Sequence, residues 1–385
     1  MNIGIYLGDF QPETGGTYSL LKTIKKEILE YNGKHNLFIF YKKNGDPQQK
    51  FIENNITYIN LWSSEISPEL PIEIKRDLYR KFNDKLFKDN NIRLMIFLVH
   101  YIRIECTIPF IFTVWDVAHR MIPYFPEISQ NGQFNCREEV FQYMLPRATY
   151  VLTGNQIGKK EILANYAINA EKIKTIAFPI TDFCFEKIDI PEQIDSIKEP
   201  FVFYPAQFWA HKNHIAIVKA ISFLKNEKNI KINCYFVGSD QGNLENVNNC
   251  IKHYDLEEQI KILGFVDYET LMYLYKNALA MVYVSLLGPN NLPPLEATAL
   301  GCPLIFSNIP GHIEQMEGNG LPVNSLEPNE IGEAIFKIYS DTEFRKNMIE
   351  NGLKFSEKFK DYSYFKEVLK VVEEFEKLMM GLYIL

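Results

Sequence analysis

The chain has 385 residues, of which 46% are hydrophobic and 14% aromatic, so it is long enough to bury two cores of ordinary size. Its net charge of -7 and pI near 5.7 exclude a protein whose main task is to cover nucleic-acid phosphates. The six cysteines lie far apart without a C-x-x-C pair, which indicates a reducing compartment and no structural zinc.

Short apolar runs alternate with helical patterns along the first half, which is typical of a parallel sheet covered on both faces. The strand candidates in chain order are NIGIYL, NLFIFY, ITYINL, RLMIFLV, PFIFTVWD, TYVLTG and KIKTIAF. The opening MNIGIYLGDF runs directly into the first of them and lacks the basic region and cleavage site of a signal peptide. We therefore expect a cytoplasmic protein.

The most apolar region, residues 94–115, is not predicted to span a membrane. It contains His100, Arg103, Glu105 and Pro109, which a bilayer would bury without partners. Two buried strands flanking a loop account for it better.

A polar, proline-marked segment, EKIDIPEQIDSIKEP at 186–200, is predicted to link two domains. The strand and helix rhythm restarts after it with PFVFYPAQ, KINCYFVGS, IKILGFV, LAMVYVS and CPLIFSN as strands. We therefore predict a doubly wound first domain at 1–185, a second at 199–359, and a helix at about 360–385 that crosses back to the first domain. Ligands of such sheets bind in the cleft at the carboxyl ends of the strands.

The stretch VSLLGPNNLPPLEATALGCPL, residues 284–304, predicts a strand that breaks and restarts as a helix capped by Asn290 or Asn291 and ended at Gly301. The amino end of this helix would point into the cleft, where its free N–H groups and dipole suit a phosphate. Glu296, placed one turn in, could accept hydrogen bonds from a ribose diol. The structural alternative is an acid that merely complements the helix dipole.

Lys212 lies in YPAQFWAHKNH, where the chain turns from the first strand of the second domain into a helix. A lysine there can neutralise a diphosphate, although a solvated surface lysine is the commoner case. Both elements end neighbouring strands of one sheet and would face the same ligand.

With these residues the chain resembles the retaining nucleotide-sugar glycosyltransferases of family 4, which have the GT-B fold of two Rossmann-like domains facing a central cleft. The most specific match is LPPLEATALGCPLIFSNIPGHIEQ, in which Glu296 corresponds to the second of the family's two glutamates. GDFQPETGGTYSLL supplies the Gly-Gly loop with Gly15 and Gly16. VGSDQGNLENV and ILGFVDYETL resemble the family's nucleotide-side loops, and the residues that this places near the base are Gly238, Phe265 and Val266.

The resemblance implies a retaining transfer of a hexose from a UDP- or GDP-linked donor to a glycan or lipid-linked acceptor, in bacterial surface polysaccharide synthesis. It implies no cofactor besides the donor and no metal, and the chain has no D-x-D motif. Lys212 and the amides near Asn291 and Leu292 would stabilise the departing diphosphate. No nucleic-acid partner is expected. Some relatives dock on anionic membranes through a lysine face, which here would be Lys22, Lys25 and Lys26.

Three departures from the family pattern concern the donor site. Gly288 stands in the place of the first glutamate, Gln207 in the place of an arginine, and Trp115 in the place of the histidine of a His-Asp pair. Asp116 remains, and His119 follows one helical turn later. The motifs W-D-x-x-H-R, P-A-Q-F-W-x-H-K-N and G-P-N-N-x-P-P-L-E resemble a bacterial subgroup, so we interpret the changes as a variant site with Asp116, His119, Lys212 and Glu296 as the catalytic candidates.

Asn155 is predicted to cap the following helix or to reach into the cleft, and Glu314 to fix its loop by hydrogen bonds. His211 and His214 flank Lys212 and could serve only to orient it. The alternatives to a transferase are a nucleotide-sugar epimerase of the same build and a catalytically silent binding homologue. A Rossmann oxidoreductase is disfavoured because no G-x-G-x-x-G follows the first strand of either half. Base, sugar, acceptor, linkage and oligomeric state stay open.

Overall fold

A computed structural model of the chain describes residues 1–43, 50–61 and 69–384. In the first half, parallel strands alternate with helices. The strands are β1 (Asn2–Tyr6), β2 (Asn36–Tyr41), β3 (Lys50–Glu53), β4 (Ile56–Asn60), β5 (Ile92–Phe97), β6 (Phe110–Thr113), β7 (Tyr150–Thr153) and β8 (Ile173–Thr175). The helices are α1 (Gly16–Leu29), α2 (Ile72–Asp89), α3 (Ala118–Met121), α4 (Pro126–Ser129), α5 (Gln133–Arg147) and α6 (Gln156–Asn165).

The second half repeats this rhythm. Its strands are β9 (Phe201–Pro205), β10 (Asn233–Val237), β11 (Ile260–Gly264), β12 (Ala280–Tyr283), β13 (Leu304–Ser307) and β14 (Leu321–Val323). Its helices are α7 (His214–Asn226), α8 (Leu244–His253), α9 (Tyr268–Asn277), α10 (Leu292–Ala299), α11 (Pro310–Met316), α12 (Pro328–Ser340) and α13 (Thr342–Ser356), and the chain continues into α14 (Tyr364–Ile384).

Each half forms one sheet. The strand order of the first is β3-β4-β2-β1-β5-β6-β7-β8, and that of the second is β11-β10-β9-β12-β13-β14. Within the described residues every strand pairing is parallel except that of β3 with β4. Central strands such as β9 are continuously apolar because helices cover both faces of a parallel sheet.

The two sheets bury separate hydrophobic cores. Helix α14 packs against the first core through Tyr364, Phe365, Val368, Val372 and Phe375. The C-terminal segment therefore returns to the first domain. Its last residue, Leu385, which the sequence prediction included in this helix, lies outside the described residues.

The strands predicted from apolar runs are present, whereas β3 and β14 were not predicted. The four residues of β3, KFIE, are all exposed and pair at the antiparallel edge of the sheet, so they carry no apolar run. Residues 94–115 form β5, a connecting loop and β6, as predicted. In the part of the chain described, no helix is both long and apolar enough to cross a bilayer.

The order of the second sheet locates the ligand crevice. The chain builds outward from β9 through β10 to β11, then returns to the other side of β9 and continues through β12, β13 and β14. At such a reversal the loops after the two adjacent strands diverge to opposite faces and leave a crevice at their carboxyl ends. Here those strands are β9 and β12.

Candidate active site

The loops after β9 and β12 bring together the two sequence elements predicted to bind a diphosphate. Lys212 follows β9, and Asn291 follows β12 as the N-cap residue of α10. The Lys212 ammonium donates to the Tyr283 hydroxyl at 3.0 Å and to Asn291 Oδ1 at 3.3 Å. The predicted proximity of these two elements is therefore present in the structure.

The partners of Lys212 are neutral. The Tyr283 hydroxyl also donates to Asn291 Oδ1 at 2.6 Å, and Asn291 Nδ2 lies 2.7 Å from His312 Nε2. Burial lowers the pKa of His312 to about 3, so its uncharged ring accepts the amide proton. No carboxylate among the described residues forms an ion pair with Lys212. This leaves the ammonium able to pair with an incoming anion.

The surroundings of Lys212 place its titration near neutral pH. Burial lowers the pKa of its ammonium to about 8, and the negative charges of Asp116 and Glu127 act in the opposite direction. A bound diphosphate would raise this pKa, because it stabilises the charged form. Binding of the anion and protonation of Lys212 are therefore coupled.

We expect the affinity for UDP or GDP to be pH-dependent above about pH 8. The lysine binds the diphosphate only when protonated, so each further pH unit should weaken binding by about tenfold until the pKa of the complex is reached. Calorimetric titrations between pH 7 and 9.5 measure this, and Lys212→Met should remove the dependence. An affinity that stays constant over this range in the wild type would contradict the coupling.

The amino end of α10 offers fewer amides than the sequence suggested. The N–H of Asn291 donates to Gln315 Oε1 at 3.0 Å, and the Gln315 amide returns a hydrogen bond to the Asn291 carbonyl at 2.7 Å. Pro293 and Pro294 have no N–H to contribute. The Asn291 amide is thus already occupied in this conformation, and its predicted anion-binding role stays a prediction. The amide of Leu292 is the group at this end without a described partner. With fewer free amides at this helix end, Lys212 would neutralise more of the charge of a bound diphosphate.

The backbone at Gly288 favours a glycine at this position. Its φ is +114°, and an added Cβ would lie 2.6 Å from Asn291 Nδ2. A glutamate at this position would therefore be strained and would displace the Asn291 side chain that contacts Lys212. A side chain at position 288 is therefore incompatible with the present position of the Asn291 side chain.

Glu296 is more enclosed than predicted. It is the fifth residue of α10 and not part of its first turn, and only 5% of it is exposed. Thr181 donates to its Oε1 at 2.7 Å and Tyr275 to its Oε2 at 2.8 Å. Burial raises the pKa of the carboxyl, and these two hydrogen bonds oppose the shift. Each oxygen keeps a lone pair for a further donor, and ribose binding by Glu296 stays a prediction.

The two catalytic candidates of the first domain differ in their surroundings. Asp116 accepts from Arg137 at 2.5 Å and from the amide of Ala118 at 2.8 Å. Burial alone would raise the pKa of Asp116, but the Arg137 charge and these hydrogen bonds hold it well below its usual range. Its permanent negative charge acts on Lys212.

His119 does not reach the cleft. Its ring is fully buried, packs on Phe141 with 5.0 Å between ring centroids, and lies 2.8 Å from the Tyr166 hydroxyl through Nε2. Burial lowers its pKa to about 4. The short helix α3 turns the ring into the core of the first domain, so the ring has no exposed surface in this conformation, and a substrate contact of His119 stays a prediction.

The remaining predicted contacts lie just after the carboxyl ends of β9, β10 and β11. Gln207 is held by Ser239 and Trp209, at 3.1 Å in each case. Gly238 cannot carry a side chain, since a Cβ would lie 2.4 Å from the Ala206 carbonyl oxygen. Phe265 is 55% exposed after β11, and Val266 packs on the second core.

The Gly-Gly loop lies where α1 begins. Gly15 is the N-cap residue of this helix, with a φ of +65°, and Gly16 is its first residue. A Cβ added to Gly16 would lie 3.8 Å from the Leu292 side chain at the amino end of α10. The loop therefore faces the helix end that is predicted to bind the diphosphate.

Hydrogen bonds between the domains also meet at this site. Asn155 caps α6 by accepting from Gly158 at 2.8 Å, as predicted, and also donates to the Pro289 carbonyl of the other domain at 2.6 Å. Glu314 accepts from the amides of Gln156 and Ile157, each at 2.8 Å. The neighbour of Glu314 in sequence is the glutamine that fixes Asn291. Two adjacent residues of α11 therefore contact the first domain and the amino end of α10, respectively, and this links the approach of the domains to that helix end.

The histidines beside Lys212 have different partners. His214 is buried and stacks on Phe208 with 4.4 Å between ring centroids, and burial lowers its pKa to about 3. This is a structural role. His211 instead contacts Glu127 of the first domain, through both its amide and its ring.

The lysines proposed for membrane contact have partners within the chain. Lys26 pairs with Asp182 at 3.2 Å, and Lys22 lies over the Tyr268 ring at 5.2 Å from its centroid. Lys25 lies over the Tyr58 ring at 5.4 Å. Contact with a membrane stays a prediction.

Several polar groups of the site were not predicted. Each of them lies inside an apolar run, at the end of the motif at 292–315, or far from the motif that it supports. They are Thr181, Tyr275, Tyr283, His312, Gln315 and Glu127. The one sequence signal for Tyr283 was its place at the carboxyl end of a strand, where a hydroxyl can face the crevice.

Known proteins resemble this chain in sequence. Residues 186–355 match the family described as glycosyl transferases group 1. The chain is 26% identical over 214 residues to an uncharacterized glycosyltransferase of Methanocaldococcus jannaschii, with 53% of this chain and 54% of that protein covered. It is 27% identical over 222 residues to the O-antigen chain mannosyltransferase of Salmonella typhimurium, with 57% and 58% covered. The chain thus spans just over half the length of these relatives.

Solved structures resemble the whole chain. The TM-score is 0.69 to Anabaena HepE in complex with UDP and glucose, at 14% identity over 98% of this chain and 100% of that one. It is 0.67 to sucrose-phosphate synthase from Thermosynechococcus elongatus, at 16% identity over 99% and 100%. At these identities the likeness concerns the fold. The chain therefore has the GT-B fold, as predicted, and its second domain carries the sequence pattern of the glycosyl transferases group 1.

Proposed function

We propose that this protein is a retaining hexosyltransferase that moves a sugar from a nucleoside diphosphate to a hydroxyl of a glycan or lipid-linked acceptor. The observation that carries the proposal is the half-buried Lys212 ammonium, which has neutral partners and contacts the N-cap residue of α10 at the reversal point of the second sheet. A diphosphate is the ligand whose charge and size suit a lone cation beside a helix amino end.

The relatives suggest which donors to test first. Two proteins similar to this chain are named as mannosyltransferases, one for the O-antigen chain and one serotype-specific, and a structural neighbour contains UDP and glucose. GDP-mannose and UDP-glucose are therefore the first candidates. Surface polysaccharide of a bacterium is the proposed destination of the sugar.

In the proposed reaction the bond between the anomeric carbon and the diphosphate oxygen breaks, and its electron pair stays on the diphosphate. Lys212 and the Leu292 amide stabilise the charge that develops there. The acceptor hydroxyl attacks the anomeric carbon from the face that the diphosphate leaves, so the configuration is retained. The hydroxyl proton passes to the departing diphosphate oxygen. Asp116, fixed by Arg137, maintains the charge of Lys212 across the cleft.

This chemistry requires no metal if Lys212 supplies the positive charge at the diphosphate. The absence of a D-x-D motif from the sequence supports a metal-independent reaction. Activity measured after treatment with EDTA tests this point, and a reaction that stops with EDTA and resumes with Mg²⁺ or Mn²⁺ would refute it.

The function itself is tested by incubating the protein with GDP-mannose or UDP-glucose, with and without mannose-containing oligosaccharide acceptors. We expect release of the nucleoside diphosphate to depend on the acceptor, and NMR of the product to show a retained anomeric configuration. An epimerised sugar nucleotide in the absence of acceptor would instead indicate an epimerase. Binding of a donor without turnover under all conditions would indicate a silent homologue.

A further inference from the structure

A carboxylate of the first domain holds the chain segment that presents Lys212. Glu127 lies on α4, and its Oε1 accepts from the amide of His211 at 3.0 Å and from His211 Nδ1 at 2.5 Å. The side chains of Glu127 and His211 are only 7% and 12% exposed. This is a buried, two-point contact between the domains, one residue before the lysine.

The other hydrogen bonds of this segment come from the second domain. The amide of Leu286 donates to the His211 carbonyl at 2.9 Å, and the Tyr204 hydroxyl donates to the Lys212 carbonyl at 2.9 Å. Both partners belong to the same domain as the segment, so these bonds do not require contact with the first domain. Two contacts of the segment depend on the approach of the two domains: the hydrogen bonds to Glu127, and the edge contact of the Phe125 ring with the His211 ring at 6.2 Å between centroids.

Glu127 also affects the charge of the site. Its own pKa is lowered by the hydrogen bonds from His211, although burial opposes this, so it is ionised at neutral pH. Its negative charge and that of Asp116 favour the protonated form of Lys212. The surrounding rings are uncharged at that pH, since burial lowers the pKa of all three histidines there, namely His211, His214 and His312.

We propose that Glu127 is a positioning residue of the diphosphate site: it fixes the His211–Lys212 segment when the domains are closed and keeps the ammonium charged. The inference rests on the proposed function, because it assigns Lys212 to the donor diphosphate. Under this proposal, a residue of the first domain positions the diphosphate site, whose binding groups come from the second domain.

Three variants separate this role from simple domain contact. Glu127→Gln keeps the size of the side chain and an acceptor for the His211 amide but removes the charge. Glu127→Ala removes both. Glu314→Gln is the matched control, because Glu314 also joins the domains by two hydrogen bonds but contacts α6 and not the lysine segment.

The measurement is the affinity for UDP and, in parallel, for GDP by calorimetry from pH 6.5 to 9.5. Loss of a negative charge near Lys212 lowers the pKa of its ammonium, so in Glu127→Gln the alkaline loss of affinity should begin at a pH lower by about half a unit or more. Glu314→Gln should keep the midpoint of the wild type, whatever its affinity at pH 7, because Glu314 is not among the charges that act on the pKa of Lys212. Glu127→Ala should in addition weaken binding at pH 7 by about tenfold, as expected for a lost charged hydrogen bond.

An unchanged midpoint in Glu127→Gln, or the same shift in Glu314→Gln, would overturn the role of Glu127 while leaving the proposed function intact. Failure of the wild type to bind either nucleotide would overturn the proposed function, and the role of Glu127 with it. Circular dichroism and thermal melting establish that each variant is folded before it is titrated.

Discussion

Replacing Lys212 by alanine is expected to lower turnover by roughly 10² or more, the loss that follows removal of one donor that stabilises developing negative charge. Its neutral neighbours Tyr283 and Asn291 remain but cannot replace a full positive charge. The effect should appear mainly in kcat, because charge on the diphosphate increases as the bond to the sugar breaks. Release of UDP or GDP in the presence of acceptor measures it.

Two further variants make this result specific. Lys212→Met keeps an unbranched side chain of similar length beside Tyr283 but removes the ammonium that lies 5.3 Å from the centroid of its ring. It should be as inactive as the alanine variant, without loss of thermal stability, because no ammonium has to be desolvated. Lys225 is an exposed lysine on α7 that donates to the Asp255 carbonyl, and its replacement by alanine should leave turnover unchanged. Near-normal turnover in both Lys212 variants would refute the proposed role.

Glu296→Gln is expected to weaken binding of the nucleoside diphosphate by about tenfold or more, the loss expected for hydrogen bonds from ribose hydroxyls to a charged acceptor. The fold should persist, because the amide keeps the shape of the side chain between Thr181 and Tyr275. Calorimetry with UDP and GDP measures the affinity. An unchanged affinity for both would refute the ribose assignment.

The same variant has a definite expectation for stability. Burial raises the folded-state pKa of Glu296 above its ordinary value, so the carboxyl destabilises the fold as pH rises through its unfolded and then its folded pKa. The neutral amide avoids this, and Glu296→Gln should be at least as stable as the wild type at pH 7. Glu296→Ala should be less stable, because it leaves the hydroxyls of Thr181 and Tyr275 without their acceptor.

Much of the fold could be predicted because parallel strands with helices on both faces are buried and therefore have continuous apolar sequences. FVFYP and AMVY, for example, become the adjacent strands β9 and β12. Because Lys212 and Asn291 lie in the segments that follow these two neighbouring strands, the sequence predicts that the two residues are close together. The exposed edge strand β3 has no such run, and it was missed for that reason.

The sequence predicted which residues lie near the site when their position depends on the strand that they follow. It did not predict the direction or the partners of side chains, which depend on packing against other elements. The sequence places His119 beside Asp116, but the direction of its ring depends on Tyr166 and Phe141, which come from other elements. Likewise, nothing local to Asn291 shows that Gln315 of α11 occupies its amide. Glu127 was missed because its partner is 84 residues away in the sequence, on the other domain.

The most direct test of the proposed diphosphate site is a crystal structure of the protein with UDP or GDP bound, at a pH below the Lys212 pKa of about 8. We expect the two phosphorus atoms at the amino end of α10, with a phosphate oxygen within about 3 Å of Lys212 Nζ. Phosphates bound elsewhere, with Lys212 still paired only to Tyr283 and Asn291, would contradict this site.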